Sequence, residues 1–242
     1  MSRVVVITGA SRGLGLSLAK KFVERGDRVF GISKTRKNWP KAKKLIQDEK
    51  LFSLETLDVT SEKSVSNYLA RTIKKSGKLD ILINNAGYGG KLSKVEETPI
   101  LEFEKHFTSN LLSQFLMSKH TIKYFRKQSQ GLIINISSMA GKRAVPQLAG
   151  YSASKFGVLA LSQAIAKENR DTNLKCITVC PGGMNTEMRS DLFGKQDAEK
   201  QQSTDFVADI IMDVIDNKLQ VESGGDILIR HGQFSINPDP AA

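Results

Sequence analysis

Short runs of β-branched and aliphatic residues alternate along this chain with longer stretches of helical period, and that alternation leaves few folds open. The runs are VVVIT at 4–8, RVFGIS at 28–33, LFSLETLDV at 51–59, LDILINNAG at 79–87, GLIINIS at 131–137, LKCITVCPG at 174–182 and DILIRHG at 226–232. Between them lie amphipathic segments such as LGLSLAKKFVERG and VSNYLARTIKKSG, each closed by a glycine able to take positive φ as a helix stop. Strand and helix in succession predict a parallel sheet. ILI and LIINI are apolar without alternation, as strands covered by helices on both faces must be. The expectation is a doubly wound parallel seven-stranded sheet. With 242 residues and no Pro/Gly/Ser-rich linker, one α/β domain over 1–242 is expected.

Composition removes several classes of function. No stretch is both apolar and long enough to span a bilayer, and the N-terminal apolar run leads into a glycine turn, not into an export cleavage site. The chain is therefore expected to be cytoplasmic, with no membrane partner. Cys176 and Cys180 are too few for a disulfide framework; their spacing puts both on one face of a strand, where they read as packing residues. His106, His120 and His231 have no convergent Cys, Asp or Glu at ligand spacing, so no metal site is expected. A net charge of +11 raises the question of nucleic acid, but the basic residues are spread over several helices without a recognition motif. No nucleic-acid partner is expected.

The chemistry begins where the first strand ends, in Thr8-Gly9-Ala10-Ser11-Arg12-Gly13-Leu14-Gly15, immediately before a helical segment. Glycines at a strand-to-helix turn let the main chain approach a pyrophosphate, whose charge is favoured by the free N–H groups and dipole of the helix N-terminus. A Rossmann-like dinucleotide site is the expectation, although the spacing is GxxxGxG in place of the more general GxGxxG. Further on, Tyr151 and Lys155 stand one helical turn apart, so both can lie on one helix face. A free tyrosine is a poor base near neutrality, and a lysine ammonium beside it is expected to lower its pKa. Ser138 lies thirteen residues upstream at the C-terminal end of a strand, where open α/β sheets place their ligands.

In these elements the sequence resembles the single-domain branch of the short-chain dehydrogenase/reductase family. The resemblance rests on TGxxxGxG, on Asp58 closing LDV, on Asn84-Asn85-Ala86-Gly87, on Asn110, on Ser138 ending INISS, on Tyr151 and Lys155 in YSASK, and on Pro181-Gly182 followed by Thr186. It implies Asn110, Ser138, Tyr151 and Lys155 as catalytic residues. As cofactor-binding residues it implies Gly9, Ser11, Arg12, Gly13, Leu14 and Gly15, Asp58 and Val59 at the adenine, Asn85, Ala86 and Gly87 at the ribose, and Pro181, Gly182 and Thr186 at the nicotinamide, with Tyr151 and Lys155 completing the set. It also implies a homodimer or homotetramer.

Cofactor choice follows from the end of the second strand. Enzymes of this fold that prefer NAD usually carry an acid there to hold the ribose hydroxyls. This chain has Ser33 and then Lys34, and Arg12 in the glycine loop adds a second cation able to grip a 2′-phosphate. NADP(H) is expected, with NAD(H) possible. The predicted reaction is NADPH-dependent reduction of a ketone or aldehyde, with Tyr151 as general acid; the alternatives are an NAD-dependent alcohol dehydrogenase and, in another class, a non-catalytic dinucleotide sensor, which the retained Tyr151 and Lys155 disfavour. The substrate is not legible, because segments 88–96, 139–148 and 183–205 are the least family-like. The last is polar and long enough to predict a lid.

Overall fold

Residues 2–238 are described by a computed structural model; residue 1 and residues 239–242, at the two ends of the expected domain, lie outside the described residues. The alternation becomes a single sheet ordered β3-β2-β1-β4-β5-β6-β7-β8. Its strands are β1 (Val4–Thr8), β2 (Arg28–Ser33), β3 (Phe52–Thr56), β4 (Ile81–Asn84), β5 (Gly131–Ile136), β6 (Leu174–Pro181), β7 (Asp226–Arg230) and β8 (Gln233–Asn237). The first seven run parallel. All their C-terminal ends thus open on one edge, and the chain reverses its direction of winding between β1 and β4.

The sheet has eight strands, not seven. β8 pairs antiparallel with β7, with Arg230 opposite Gln233. The two-residue turn between them is His231-Gly232, both at positive φ (52° and 72°), the backbone that a tight hairpin with the sheet's own twist requires. QFSIN is mostly exposed, so it lacks the apolar run that marked the other strands.

Two apolar layers explain why the inner strands are uniformly hydrophobic. Val5 and Ile7 of β1 pack with α1 (Gly13–Glu24) and α9 (Thr204–Ile215) through Leu18, Phe22 and Ile211. Val4 and Val6 face the other side, against α3 (Glu62–Ser76) and α5 (Ser113–Lys127), where Tyr68, Leu69, Met117 and Phe125 are buried. With both faces covered, every residue of β1 is buried. Cys176 and Cys180 are buried free thiols in β6, and burial pushes both pKa values up to about 12. They are inert packing groups.

α2 (Trp39–Leu45) and α4 (Ile100–Phe107) complete the periphery, and a single π-turn at Thr108–Leu112 joins α4 to α5. α6 (Ala149–Glu168) carries Tyr151 and Lys155. The polar segment at 183–205 contains two short helices, α7 (Glu187–Phe193) and α8 (Lys195–Glu199), before α9 begins. Its two ends are tied together by a bridge between Met184 and Gln202 and by a hydrogen bond from Asn185 N to Gln202 O at 2.9 Å. It leaves the sheet edge and returns at one point. Among the described residues, no helix is long and apolar enough to cross a membrane, and no group of His, Cys, Asp or Glu is placed to hold a metal ion.

Candidate active site

The glycine turn lies at the edge where the winding reverses. Gly9 and Gly13 sit at positive φ (70° and 53°). A Cβ on Gly15 would fall 2.3 Å from Gly9 O and 2.6 Å from Asn85 Nδ2, so only glycine permits this close folding of the loop. Arg12 stands at the N-cap of α1 and offers no capping hydrogen bond, and no acid lies in the first turn. The first N–H groups of α1 therefore face the turn without a side-chain acceptor, a surface suited to a phosphate. Ala10 N bonds Ile32 O at 3.0 Å, tying the loop to β2.

Asn85 is structural in a specific way. Its Nδ2 donates to Thr8 O (2.9 Å) and Gly9 O (3.3 Å), while Asn85 N and Ala86 N both donate to Thr8 Oγ1 at 2.9 Å. The β4 exit is thereby stapled to the glycine loop. Asn84, fully buried, donates to Asn135 Oδ1 (2.8 Å) and Ser118 Oγ (3.1 Å), bracing the middle of the sheet. Asp58 lies beyond β3, which ends at Thr56; it accepts from Thr60 N and Thr60 Oγ1 at 3.0 and 2.7 Å, and those bonds hold its pKa below the ordinary value. Val59 follows it, half-buried.

Tyr151 and Lys155 share one face of α6, with the Lys155 ammonium 5.8 Å from the centre of the Tyr151 ring. Ser138 ends the loop after β5 and its hydroxyl hydrogen-bonds Tyr151. That hydroxyl also accepts from Ala140 N at 3.1 Å, which fixes its position. The neighbouring Ser137 points elsewhere, donating to Lys155 O at 2.8 Å.

The expected lowering of the tyrosine pKa is corrected. Burial pushes Tyr151 up, and the hydrogen bond from Ser138 offsets this only partly. Lys155 is itself only 3% exposed, donates to Ile136 O at 2.9 Å, and is pushed down to about 8 by burial. A cation this disfavoured, and held by a carbonyl, does not overcome the desolvation of the phenol. Near neutrality Tyr151 is a phenol carrying its proton.

Asn110 is placed between the Tyr88 loop and α6. Its Oδ1 accepts from Tyr88 N at 2.7 Å, and its Nδ2 donates to Tyr88 O (3.0 Å) and Ser154 Oγ (3.0 Å). Both Nδ2 protons and one Oδ1 lone pair of this fully buried amide are engaged, so Asn110 ties the Tyr88 loop to α6. The π-turn at 108–112 is what points it there.

A cluster not anticipated from the sequence lies under Tyr151. The His106 ring meets the Tyr151 ring edge-on at 6.1 Å and the Tyr88 ring at 5.3 Å; Tyr88 donates its hydroxyl proton to Glu102 Oε1 at 2.8 Å. Burial lowers the pKa of His106. Glu102, His106 and Asn110 recur every four residues, a one-face signal that was present in the chain and carried no reading of function.

The cofactor-selecting residues are placed unequally. Lys34 is exposed beyond β2. Ser33 is buried, at 5% exposed, its hydroxyl accepting from Trp39 Nε1 (2.7 Å) and donating to Thr35 O (2.9 Å), so it is not a free ligand for a ribose. Arg36 lies over the Trp39 ring at 5.1 Å. Arg12 forms an ion pair with Glu187 at the start of α7. Thr186 caps α7 by accepting from Arg189 N at 3.3 Å, and its methyl group would lie 3.5 Å from a Cβ on Gly13. Met188 and Leu192 of the same helix crowd the Cα of Gly89, where a Cβ would come within 2.9 and 3.1 Å of them. One helix thus touches both the glycine turn and the β4 exit. Pro181 ends β6, and Gly182 N bonds Ile229 O at 2.7 Å.

Residues 3–197 match the short chain dehydrogenase family. The chain belongs to that family. This short-chain dehydrogenase is 33% identical over 193 residues to 2-(R)-hydroxypropyl-CoM dehydrogenase of Xanthobacter autotrophicus, a match covering 78% of this chain and 77% of that protein. It is 31% identical over 228 residues to NADPH-dependent pterin aldehyde reductase of Arabidopsis thaliana, covering 94% and 93%. Among solved structures it superposes on levodione reductase with a TM-score of 0.88 at 25% identity, over 96% of this chain and 97% of that one. It superposes on ElxO with NADP bound with a TM-score of 0.85 at 27% identity, over 95% and 96%. The protein is an oxidoreductase acting on alcohol or carbonyl groups, and the family uses NAD(P)(H).

Proposed function

We propose that this short-chain dehydrogenase reduces a small ketone or aldehyde with NADPH, using Tyr151 as the proton donor. The observation that carries the reading is the grouping of Tyr151, Ser138 and Lys155: a half-buried phenol beside the Ser138 hydroxyl, its pKa pushed up by desolvation, is suited to give a proton to an oxygen on which negative charge develops. Ser138 supplies a second, fixed hydroxyl for that oxygen. Lys155, close to the ring and excluded from water, favours the phenolate left behind.

The dinucleotide fits the residues present, since Gly9, Gly13 and Gly15 form a cradle that side chains would fill and α1 offers uncapped N–H groups above it. Ser11 to Gly15 would hold the pyrophosphate, Asp58 and Val59 the adenine, Ala86 and Gly87 the ribose side, and Pro181, Gly182 and Thr186 the nicotinamide. Asn85 holds the loop that does so. When bound, the dinucleotide supplies the hydride. The preference for NADP(H) is supported by Lys34 and Arg12 and by the lack of an acid at the end of β2; Ser33 contributes by its size alone, with its hydroxyl engaged by Trp39. It is also supported by the NADPH-dependent relative and the NADP-bound neighbour.

Segment 183–205 acts as the lid of the cleft, a reading supported by α7 reaching both the glycine turn and Gly89 from fastened ends. We also propose a homodimer or homotetramer in a reducing cytoplasm. Leu112, Phe115 and Phe156 leave apolar surface exposed, and both thiols are free. Sedimentation at micromolar concentration would give the oligomeric state, and a monomer would dispose of that part.

The decisive measurement is turnover of a panel of ketones and aldehydes with NADPH and NADH, in wild type and Tyr151→Phe. The variant is expected to keep its cofactor affinity and lose on the order of 10²–10⁴ in kcat. Retention of more than about a tenth of kcat refutes Tyr151 as the donor.

A further inference from the structure

Beside the Ser138 loop the protein holds a cavity of about 560 Å³, a volume suited to a small organic ligand. Neither Tyr151 nor Ser138 lines it, but Met139 and Gly182 do, so it adjoins the proposed reaction centre on the side of β6 and β7. Its wall has one unusual property: Arg143, Arg189, Lys200 and Arg230 all line it, and among the described residues no Asp or Glu does.

Most of these cations lack a counter-charge. The Arg143 side chain makes no hydrogen bond or ion pair with any described residue, although the adjacent Lys142 is paired with the buried Asp226 at 2.5 Å. Among the described residues the Arg230 side chain bonds only the His231 ring, at 3.1 Å. Asp197, which lies outside the wall, is already held by Arg189 at 2.5 Å, with Lys200 contributing only its field. A chain with 36 basic and 25 acidic residues must leave some cations solvated on its convex surface. Here four of them, from the loop after β5, the 183–205 segment and the end of β7, converge on a concavity, where their mutual repulsion is relieved by an anion.

The main chain is shaped to allow it. A Cβ on Gly183 would fall 2.1 Å from Gln201 Oε1, and one on Gly182 would fall 3.0 Å from Arg230 Cβ, so the two glycines let these side chains close over the β6 exit. Gln202, also in the wall, is held in place by donating to Ile229 O at 3.0 Å.

We infer that this cavity takes the anionic end, a carboxylate or phosphate, of the carbonyl substrate. The inference rests on the reductase reading above and narrows it to oxo acids or phosphorylated carbonyl compounds. Its test compares oxo acids of graded chain length with their own methyl esters, by kcat/KM with NADPH. Wild type is expected to favour the acid of best-fitting length by about tenfold or more, the scale of one charge-assisted hydrogen bond. Arg143→Gln and Arg230→Gln should each lower the acid-to-ester ratio about five- to tenfold, through KM and not kcat, whereas Lys74→Gln, an equal charge change on α3, should leave it alone. Inorganic phosphate should compete with the acid.

Equal use of acid and ester, or a ratio unmoved in both arginine variants, overturns the inference while leaving carbonyl reduction standing. Phosphate that binds through Arg143 and Arg230 without competing with the acid also overturns it, since the anion would then come from a separate ligand. If no carbonyl turns over, the reductase reading fails instead. The cavity is then judged by phosphate titration of thermal stability in saturating NADP⁺, where identical responses of wild type and the Arg143→Gln/Arg230→Gln double variant refute an anion site.

Discussion

The glycine turn and the basic cavity open on the same edge of one parallel sheet, yet they are made of different material. The turn is main chain: consecutive residues 9–15, two of them at positive φ, folded so tightly that no Cβ fits at Gly15. The cavity is side chain: cations contributed from residues 143, 189, 200 and 230, which only the tertiary fold brings together. A site built from backbone tolerates almost no change at its glycines and is indifferent to most neighbours. A site built from long side chains can be retuned one residue at a time, as substrate specificity demands.

If that contrast is right, the largest loss will come from the turn. Gly15→Ala, which sets a methyl group against Gly9 O and the Asn85 amide, is expected to weaken NADPH and NADH alike by on the order of a hundredfold. Isothermal titration with both cofactors measures it. Affinities within about threefold of wild type would mean that the loop yields easily and that the contrast is false.

Lys155 sits between the two regions and sharpens the comparison through stability. Its pKa is about 8 in the folded chain against an ordinary 10.5. Below pH 8 the folded protein carries a buried cation that the unfolded chain keeps solvated. From 8 to 10.5 the folded form has released the proton and the unfolded form has not, so this contribution to stability rises with pH across that window. Lys155→Met is therefore expected to stabilise the cofactor-free protein at pH 7 by about 2 kcal/mol, after about 1 kcal/mol is allowed for the lost bond to Ile136 O. The gain should fade by pH 10.5, as followed by urea unfolding. A gain independent of pH would show that the lysine is not held as described.

Smaller effects are expected at the phosphate-selecting end. Arg12→Ala should weaken NADPH by about one to two decades and leave NADH nearly unchanged, if Arg12 leaves Glu187 to grip the 2′-phosphate. Equal losses for both cofactors would assign Arg12 to the loop or the lid. Ser33→Asp is a poor cofactor switch in this protein, because it places a carboxylate at a buried position that accepts from Trp39; a lowered Tm is the expected result, and an unchanged Tm with a clean swing to NADH would contradict it. Smallest of all is Glu187→Gln. An exposed ion pair is worth up to about 1 kcal/mol, so freeing Arg12 should tighten NADPH by no more than about fivefold. A weakened affinity would show that Glu187 positions Arg12 instead of competing for it.

What the chain states by itself is whatever depends on neighbours in sequence. Strand and helix period, the glycine turn, the helical spacing of Tyr151 and Lys155 and the stops at Gly26 and Gly77 all report backbone requirements local to a few residues, and the parallel sheet follows from them. β8 escaped because an exposed strand has no apolar run to betray it. Tertiary structure alone decided the protonation state of Tyr151 and Lys155, since burial is a property of everything packed around a group and here outweighs the charge one helical turn away. It decided that Asn110 braces Tyr88 and that Arg12 meets Glu187, because each partner comes from another part of the chain. It likewise assembled four arginine and lysine side chains around one cavity whose described wall holds no carboxylate, a convergence of long-range positions that no local spacing encodes.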